Sequence, residues 1–405
     1  MKKYILYTAA IMAITVSSCR KIETDGEIQV VVVNGGGGGG GSTTGQTITL
    51  QGRINADTVL RKANSYILKG IVYMVGNHTM TIEAGTVIKG SFSGSDVAAL
   101  VITRGSKIIA PGTATDPIIF TSLSPNPQSG DWGGIVLCGK AGYNLSYNGT
   151  AGLYQVEGGI DNANGDGLAG SGDAVAPTPV ANDNSGVLQY VRIEYAGYAF
   201  QPDKEINSLT MAAVGSGTII DHIQVTYAKD DAFEWFGGSV NCSYLIAYKT
   251  QDDDFDTDNG YNGKVQFGLV LRDSLIADIS TSEAFESDGN ATGTTAAPKT
   301  TAIFSNITAI GPRATLNNLG STLFRGATHI RRNSGISIFN SIIMGWPRGI
   351  EIDATTGTST ALNIEDSTLR LRNITLAGNT VNTRFSGTAG ATITNDAAFT
   401  TWFTN

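Results

Sequence analysis

Beyond Gln46 the apolar residues come in short runs, three to five long and rich in isoleucine and valine, with glycine between them. Thr79-Met-Thr-Ile-Glu-Ala-Gly-Thr-Val-Ile-Lys-Gly90, Leu100-Val-Ile-Thr-Arg-Gly-Ser-Lys-Ile-Ile-Ala-Pro-Gly-Thr113 and Pro117-Ile-Ile-Phe-Thr-Ser122 show the pattern. Such runs predict short strands joined by tight turns, and no apolar period of 3.6 follows the N-terminal segment to predict a helix. A sandwich and a solenoid both fit short strands. A fixed offset separates the two. Ile223-Gln-Val-Thr-Tyr-Ala-Lys-Asp-Asp231 matches Leu245-Ile-Ala-Tyr-Lys-Thr-Gln-Asp-Asp253 in apolar positions at a spacing of 22 residues (245−223). Repeats of that length stack as coils of an all-β solenoid, each about 4.8 Å above the last.

The same offset carries charge. Asp231-Ala232-Phe233-Glu234, Asp253-Asp254-Phe255-Asp256 and Glu283-Ala284-Phe285-Glu286 each set acids around a phenylalanine, and the phenylalanines are 22 and 30 residues apart (255−233 and 285−255). Alternate residues of a strand share a face. Phe233, Phe255 and Phe285 are therefore expected to form an inward ladder, with acids in an outward column. That column holds Asp230 and Glu234 in one coil, Asp252, Asp254, Asp256 and Asp258 in the next, and Glu286 and Asp288 in the third.

Unit charges about 5 Å apart repel by roughly 3 kcal/mol at an effective dielectric of 20. Full solvation, protonation, arginine or a bound cation would relieve the strain. Calcium suits the last option because it accepts several carboxylate and carbonyl oxygens in flexible geometry. The eight acids are thus candidate calcium ligands. Phe324-Arg325 lies 39 residues beyond Phe285-Glu286 (324−285) and would continue the column with opposite charge, supported by Arg331 and Arg332. A helix-loop-helix calcium loop at Asp254-x-Asp256-x-Asp258 fails, since Asn259 stands where glycine is required and Val265 at the twelfth position. Asn162-x-Asn164-x-Asp166-Gly167, with Asp173 at position twelve, comes closer but reads more readily as a polar turn.

Charge and composition narrow the partners. The 405-residue chain has a formal net charge of −8 and offers no basic stripe for nucleic-acid phosphates. Its 51 glycines suit many turns rather than helices. Cys138 and Cys242 are far apart, lack metal-ligand spacing and are expected as buried thiols. At the N-terminus Lys2 and Lys3 precede an apolar run from Tyr4 to Val16, too short to span a bilayer, and then Val16-Ser17-Ser18-Cys19. This resembles a bacterial lipobox, which implies a signal peptide over 1–18 and a lipid, palmitate among its chains, on Cys19. Residues 19–45, with seven glycines from Gly35 to Gly41, read as a flexible tether. Residues 46–405 read as one solenoid, interrupted by an irregular stretch around 141–184 and closed at its end by Trp402 and Phe403.

Four segments carry a resemblance: Asp131-Trp-Gly-Gly-Ile-Val-Leu-Cys-Gly-Lys140, Asn184-Ser-Gly-Val-Leu-Gln-Tyr-Val-Arg-Ile-Glu-Tyr-Ala-Gly197, Asp230-Asp-Ala-Phe-Glu-Trp-Phe-Gly-Gly238 and Asp252-Asp-Asp-Phe-Asp-Thr-Asp-Asn-Gly260. Together they resemble a family of Bacteroidetes surface lipoproteins. The resemblance implies a single-stranded right-handed parallel β-helix, lipid-anchored in the outer membrane at the cell surface, with no assigned enzyme activity.

Parallel β-helices also include pectate lyases and polygalacturonases, so a polysaccharide lyase or hydrolase is the rival reading. A lyase needs calcium carboxylates and a base, for which Lys229, Lys249, Arg272 and Arg325 are available. A hydrolase needs two acids flanking the scissile bond, commonly with Gly-His-Gly and Arg-x-Lys elements, and neither tripeptide occurs. His78, His222 and His329 are scattered, and Asp221-His222 reads as a capped surface pair at a strand start. Fold analogy alone does not carry an activity. The expected role is a non-catalytic binding or scaffold module that takes calcium in its acidic column, anchored to the membrane by lipid. Its expected partner is a glycan or another envelope protein; an adhesin is a further alternative.

Overall fold

The computed structural model describes residues 31–33, 45–201, 204–313, 315, 317–318 and 320–405. The signal segment, Cys19 and most of the glycine tether lie outside the described residues. The short β-branched runs form one sheet of 24 strands wound into coils, and every pairing in it is parallel except Val31–Val33 against Thr47–Ile54. This is an all-β parallel β-helix.

A full coil has three faces. Phe233–Phe236 supplies the first, and Asn241–Tyr248 supplies the other two because Tyr244 in its middle takes a left-handed φ of +56°. The bend shows in the register, where Ser243 pairs with Asp221 and Leu245 with Ile223 while Tyr244 and His222 are skipped. The same corner is occupied in successive coils by Tyr190, His222, Tyr244, Phe267, Asn306, Asn340 and Asn373, with φ from +48° to +63°. Asparagine tolerates that conformation, whereas bulky residues are strained by it. The aromatic members stack on one another at 4.2, 4.3 and 4.8 Å, which offsets the strain. His222 therefore sits in the middle of a strand inside an aromatic ladder, and not at a strand start as the sequence suggested.

The 22-residue offset is the length of a coil. Phe233 pairs with Phe255, and Phe255 with Phe285, the first two rings stacked at 5.8 Å and the second two tilted at 5.4 Å in the buried core. Trp235, Tyr261 and Phe304 pack around them. Cys138 and Cys242 are free and buried.

Two additions lie outside the coil pattern. The 141–184 stretch folds into small antiparallel hairpins, Ser146–Tyr147 with Thr150–Ala151 and Leu153–Gln155 with Leu168–Gly170. Tyr154 stacks between Tyr143 and Phe236 at 4.9 and 4.8 Å, which pins the insertion to the outer side of the first face. At the far end, the helix Asp396–Thr404 is capped by the Asn395 side chain, which accepts from the Ala398 N–H at 2.9 Å. Phe399 is buried there, and Trp402 and Phe403 pack against the core. The sequence marked those two aromatics as a closure but gave no helical period for them. No helix among the described residues is long and apolar enough to cross a membrane.

Candidate functional site

Strand alternation turns Phe233, Phe255 and Phe285 inward and the residue after each outward. Register then stacks Glu234, Asp256, Glu286, His329, Glu351 and Arg384 in one continuous row. A second row runs along the corner just before these strands. There the Asp253 N–H donates to Asp231 Oδ1 at 2.9 Å, and the Glu283 N–H to Asp253 Oδ1 at 2.5 Å. Backbone donors thus aim a carboxylate from each coil at the next. Asp230 and Asp252 extend the acidic surface beside them.

These rows meet in a cavity of about 330 Å³ lined by Glu157, Glu205, Asn207, Asp230, Asp231, Glu234, Asp252, Asp253, Asp256, Glu286, Ser280, Thr281 and Arg331. The insertion contributes Glu157 as part of the wall, which turns an outward column into a pocket. Asp231, Glu234 and Asp253 are buried in it, unlike the solvated face that a bare solenoid would present. Three overlapping groups have carboxylate oxygens within 4.8 Å of one another: Asp230, Asp231 and Asp252; Asp231, Glu234 and Asp256; Asp253, Asp256 and Glu286. Asp231 belongs to the first two groups and Asp256 to the last two.

The electrostatics follow. Burial, with Asp278 beside it, pushes Asp252 up to about 8. Burial followed by repulsion from neighbouring carboxylates raises Asp230, Asp231, Glu234, Asp253 and Asp256 well above the ordinary carboxylate range. Burial also presses Glu286 upward, yet His329 beside it and the Arg331 charge outweigh it and hold Glu286 below its usual value. Buried Asp252 Oδ1, Asp256 Oδ1 and Asn207 Oδ1 have no hydrogen-bond partner. The Asn207 amide meanwhile donates to Glu234. A cluster rich in hard oxygens, with acceptors left over, is suited to a cation that takes many oxygen ligands.

Of the acids expected in the column, Asp230, Glu234, Asp252, Asp256 and Glu286 line this cavity. Asp258 and Asp288 lie at its margin. Asp258 accepts from the Asn259 N–H at 2.6 Å and its side chain at 2.7 Å, and Asp288 is held by Arg331 at 2.8 Å and Arg332 at 2.6 Å. Asp254 departs from the expected outward row. It precedes the strand Phe255–Asp258, turns inward at the corner, and pairs with Arg272 at 2.8 Å, both side chains 0% exposed. Sequence reasoning passed over Asp231, Asp253 and Glu283 as ligands, although the repeated Asp-Asp doublet at the 22-residue offset marks the first two. Glu157, Glu205 and Asn207 carry no sequence signal, because only the insertion and the chain before Leu209 bring them there.

The arginine expectation also changes. Thr328, not Phe324, stacks on Phe285, so His329 and not Arg325 continues the row. Phe324 bridges to Ser282, and Arg325 bonds Glu351 at 3.1 Å through both Nε and Nη2. Arg331 bonds Glu286 and is the one cationic side chain of the cavity lining. Of the other bases weighed for a lyase, Lys249 pairs with Asp273 at 3.2 Å and Arg272 with Asp254, while Lys229 is exposed and outside the cavity lining. In the Asn162 loop, Asp166 pairs with Arg53 at 2.7 Å and Asp173 with Arg104 at 2.7 Å, which makes it a braced polar turn.

A family model described as a pectate-lyase-like β-helix domain matches residues 52–405. No curated protein matches the chain.

Proposed function

We propose, from the premise that the chain belongs to the pectate-lyase-like β-helix domain family, that it is a calcium-binding module without catalytic activity of its own. One observation carries this reading. Nine acidic residues and a single arginine line one cavity, and two buried carboxylate oxygens in it lack hydrogen-bond partners. Calcium takes six to eight oxygens at about 2.3–2.6 Å and accepts irregular geometry, which matches carboxylates delivered from three coils and an insertion. Asp231 and Asp256, each shared by two ligand groups, are the residues on which binding depends most.

The N-terminal Lys2-Lys3, apolar run and Val16-Ser17-Ser18-Cys19 support export and lipid attachment at Cys19. The body is then displayed at the outer membrane surface, where calcium is available and a glycan or envelope protein can dock. Calorimetric titration of chelator-treated protein is expected to show calcium uptake with a raised unfolding midpoint. Asp231→Asn with Asp256→Asn is expected to abolish both. An absence of binding heat and of stabilisation in the unmodified protein would sink the proposal.

A second reading, polysaccharide hydrolysis, is favoured by Asp252 being pushed up to about 8 in the same cavity where Glu286 stays ionised. Carboxyl groups driven apart in this way supply an acid and a base. Release of reducing ends from polyuronates, lost in Asp252→Asn, would favour it over the binding module.

A further inference from the structure

We infer that Glu283, Glu286 and His329 form a binding site for one transition-metal ion of the zinc class, distinct in donor chemistry from the all-oxygen cavity beside it. Parallel register brings the three together. His329 pairs with Glu286 across adjacent coils, and Glu283 sits at the corner before Phe285. Glu283 is 0% and His329 2% exposed.

The imidazole is oriented for the task. His329 Nε2 lies 3.1 Å from Asp353 Oδ2. The ionised carboxylate can only accept, so Nε2 carries a proton, while Nδ1 faces Glu283 and Glu286, whose charges favour a second proton there that a bound metal would displace. Arg331 Nη1 stands 3.5 Å from the same Nδ1. A carboxylate behind a histidine is the usual brace of a metal-ligating imidazole.

The separations point the same way. Nδ1 is 3.6 Å from Glu283 Oε1 and 3.8 Å from Glu286 Oε2, too long for hydrogen bonds. Ligands bound at about 2.0–2.1 Å in a tetrahedron stand roughly 3.3 Å apart, so each carboxylate is within a few tenths of an ångström of its place beside the imidazole, and all three donor atoms lie within 4.8 Å of one another. An independent observation marks the need for a partner: Glu283 Oε2 is buried and has none. An unpaired buried carboxylate oxygen is costly.

The surrounding arginines leave an oxygen of each carboxylate available. Arg331 bonds the other oxygen of Glu286 and keeps Asp288, while Arg325 is held by Glu351 and reaches Glu283 Oε1 only at 3.8 Å. One imidazole with two carboxylates suits zinc and its neighbours, whereas calcium and magnesium favour oxygen alone. Glu286 also lines the cavity, which gives the ion a path from solvent.

The inference does not rest on the calcium reading, and the test keeps them apart. Chelator-treated full-length protein is titrated with cobalt(II) and followed by visible absorption, then challenged with zinc. One equivalent of cobalt with the intense bands of a four- or five-coordinate site, displaced by zinc, is expected. His329→Gln and, as a second isosteric variant, Glu283→Gln should each weaken binding at least a hundredfold, and Asp353→Asn about 10- to 100-fold. Calcium uptake by His329→Gln should match the unmodified protein. Absence of cobalt bands in the unmodified protein, or cobalt affinity in both isosteric variants equal to that of the unmodified protein, would overturn the inference whatever calcium does.

Discussion

Asp254 and Arg272 show how one position departs from a simple alternation. The residues stacked above and below Asp254 are Ala232, Ala284 and Ala327, all fully buried, because the chain is still rounding the corner there and its side chains point into the coil. Those alanines were the readable signal that an acid between them could not face water. Arg272 answers the buried charge. It also donates to the backbone carbonyls of Thr250, Asp252 and Glu283, and lies against the Phe324 and Trp346 rings. The corner that carries Asp252, Asp253 and Glu283 is thus tied by one guanidinium. Arg272→Met is expected to destabilise the protein by about 3–5 kcal/mol, as breaking a buried pair does. Asp254→Asn with Arg272→Met should recover part of that loss in a denaturant titration. Equal midpoints for the single and double variants would show that the carbonyl contacts, not the charge pairing, dominate.

Coils were legible as elements where letters repeat at one spacing, and misread where coil length changes. The offset between Ile223 and Leu245 holds in the structure because no loop intervenes. Phe285 is followed in register by Thr328, 43 residues on (328−285), since long segments after Ser287 and Ile310 lengthen that coil. Matching Phe324 to Phe285 by residue type therefore placed Arg325 one corner away from its true neighbour. The left-handed corner is another element-scale feature that apolar patterning does not reveal, since aromatic residues and asparagines share it. Asn340 illustrates its energetics, with φ +51° and Oδ1 accepting from the Asn373 amide at 3.0 Å. Asn340→Ala should cost about 1–2 kcal/mol from the forced left-handed backbone and roughly another 1 from the lost hydrogen bond. Asn340→Gly should cost less, because glycine removes the backbone strain. Chemical denaturation midpoints of the two variants check the order.

At the scale of the whole molecule, the acidic cavity sets how stability varies with pH. Asp252 and Asp258 are each pushed up to about 8, burial being the main cause. In the unfolded chain an aspartate ionises near 3.9, so it is the unfolded state that loses protons first. Metal-free protein should therefore lose stability as pH rises from about 4 to about 8. Groups such as Asp173, held below its usual value chiefly by Arg104, act in the opposite sense and withdraw their contribution only as pH falls through their depressed folded pKa. Unfolding midpoints at pH 5 and pH 8 should differ in chelator and converge in saturating calcium. Identical midpoints in chelator would contradict the buried, repelling acids.

The uniform coil length across the first two rungs of the site also bears on descent by duplication. Phe233 and Phe255 occupy the same place in adjacent coils, and so do Asp231 and Asp253. Copying 22 residues in frame would add a rung that already knows its neighbours above and below, lengthening the cavity by about 4.8 Å while leaving every inherited ligand on its original partner. Site length and site chemistry are consequently separable traits in this chain, one counted in coils and the other written in the residues of each coil.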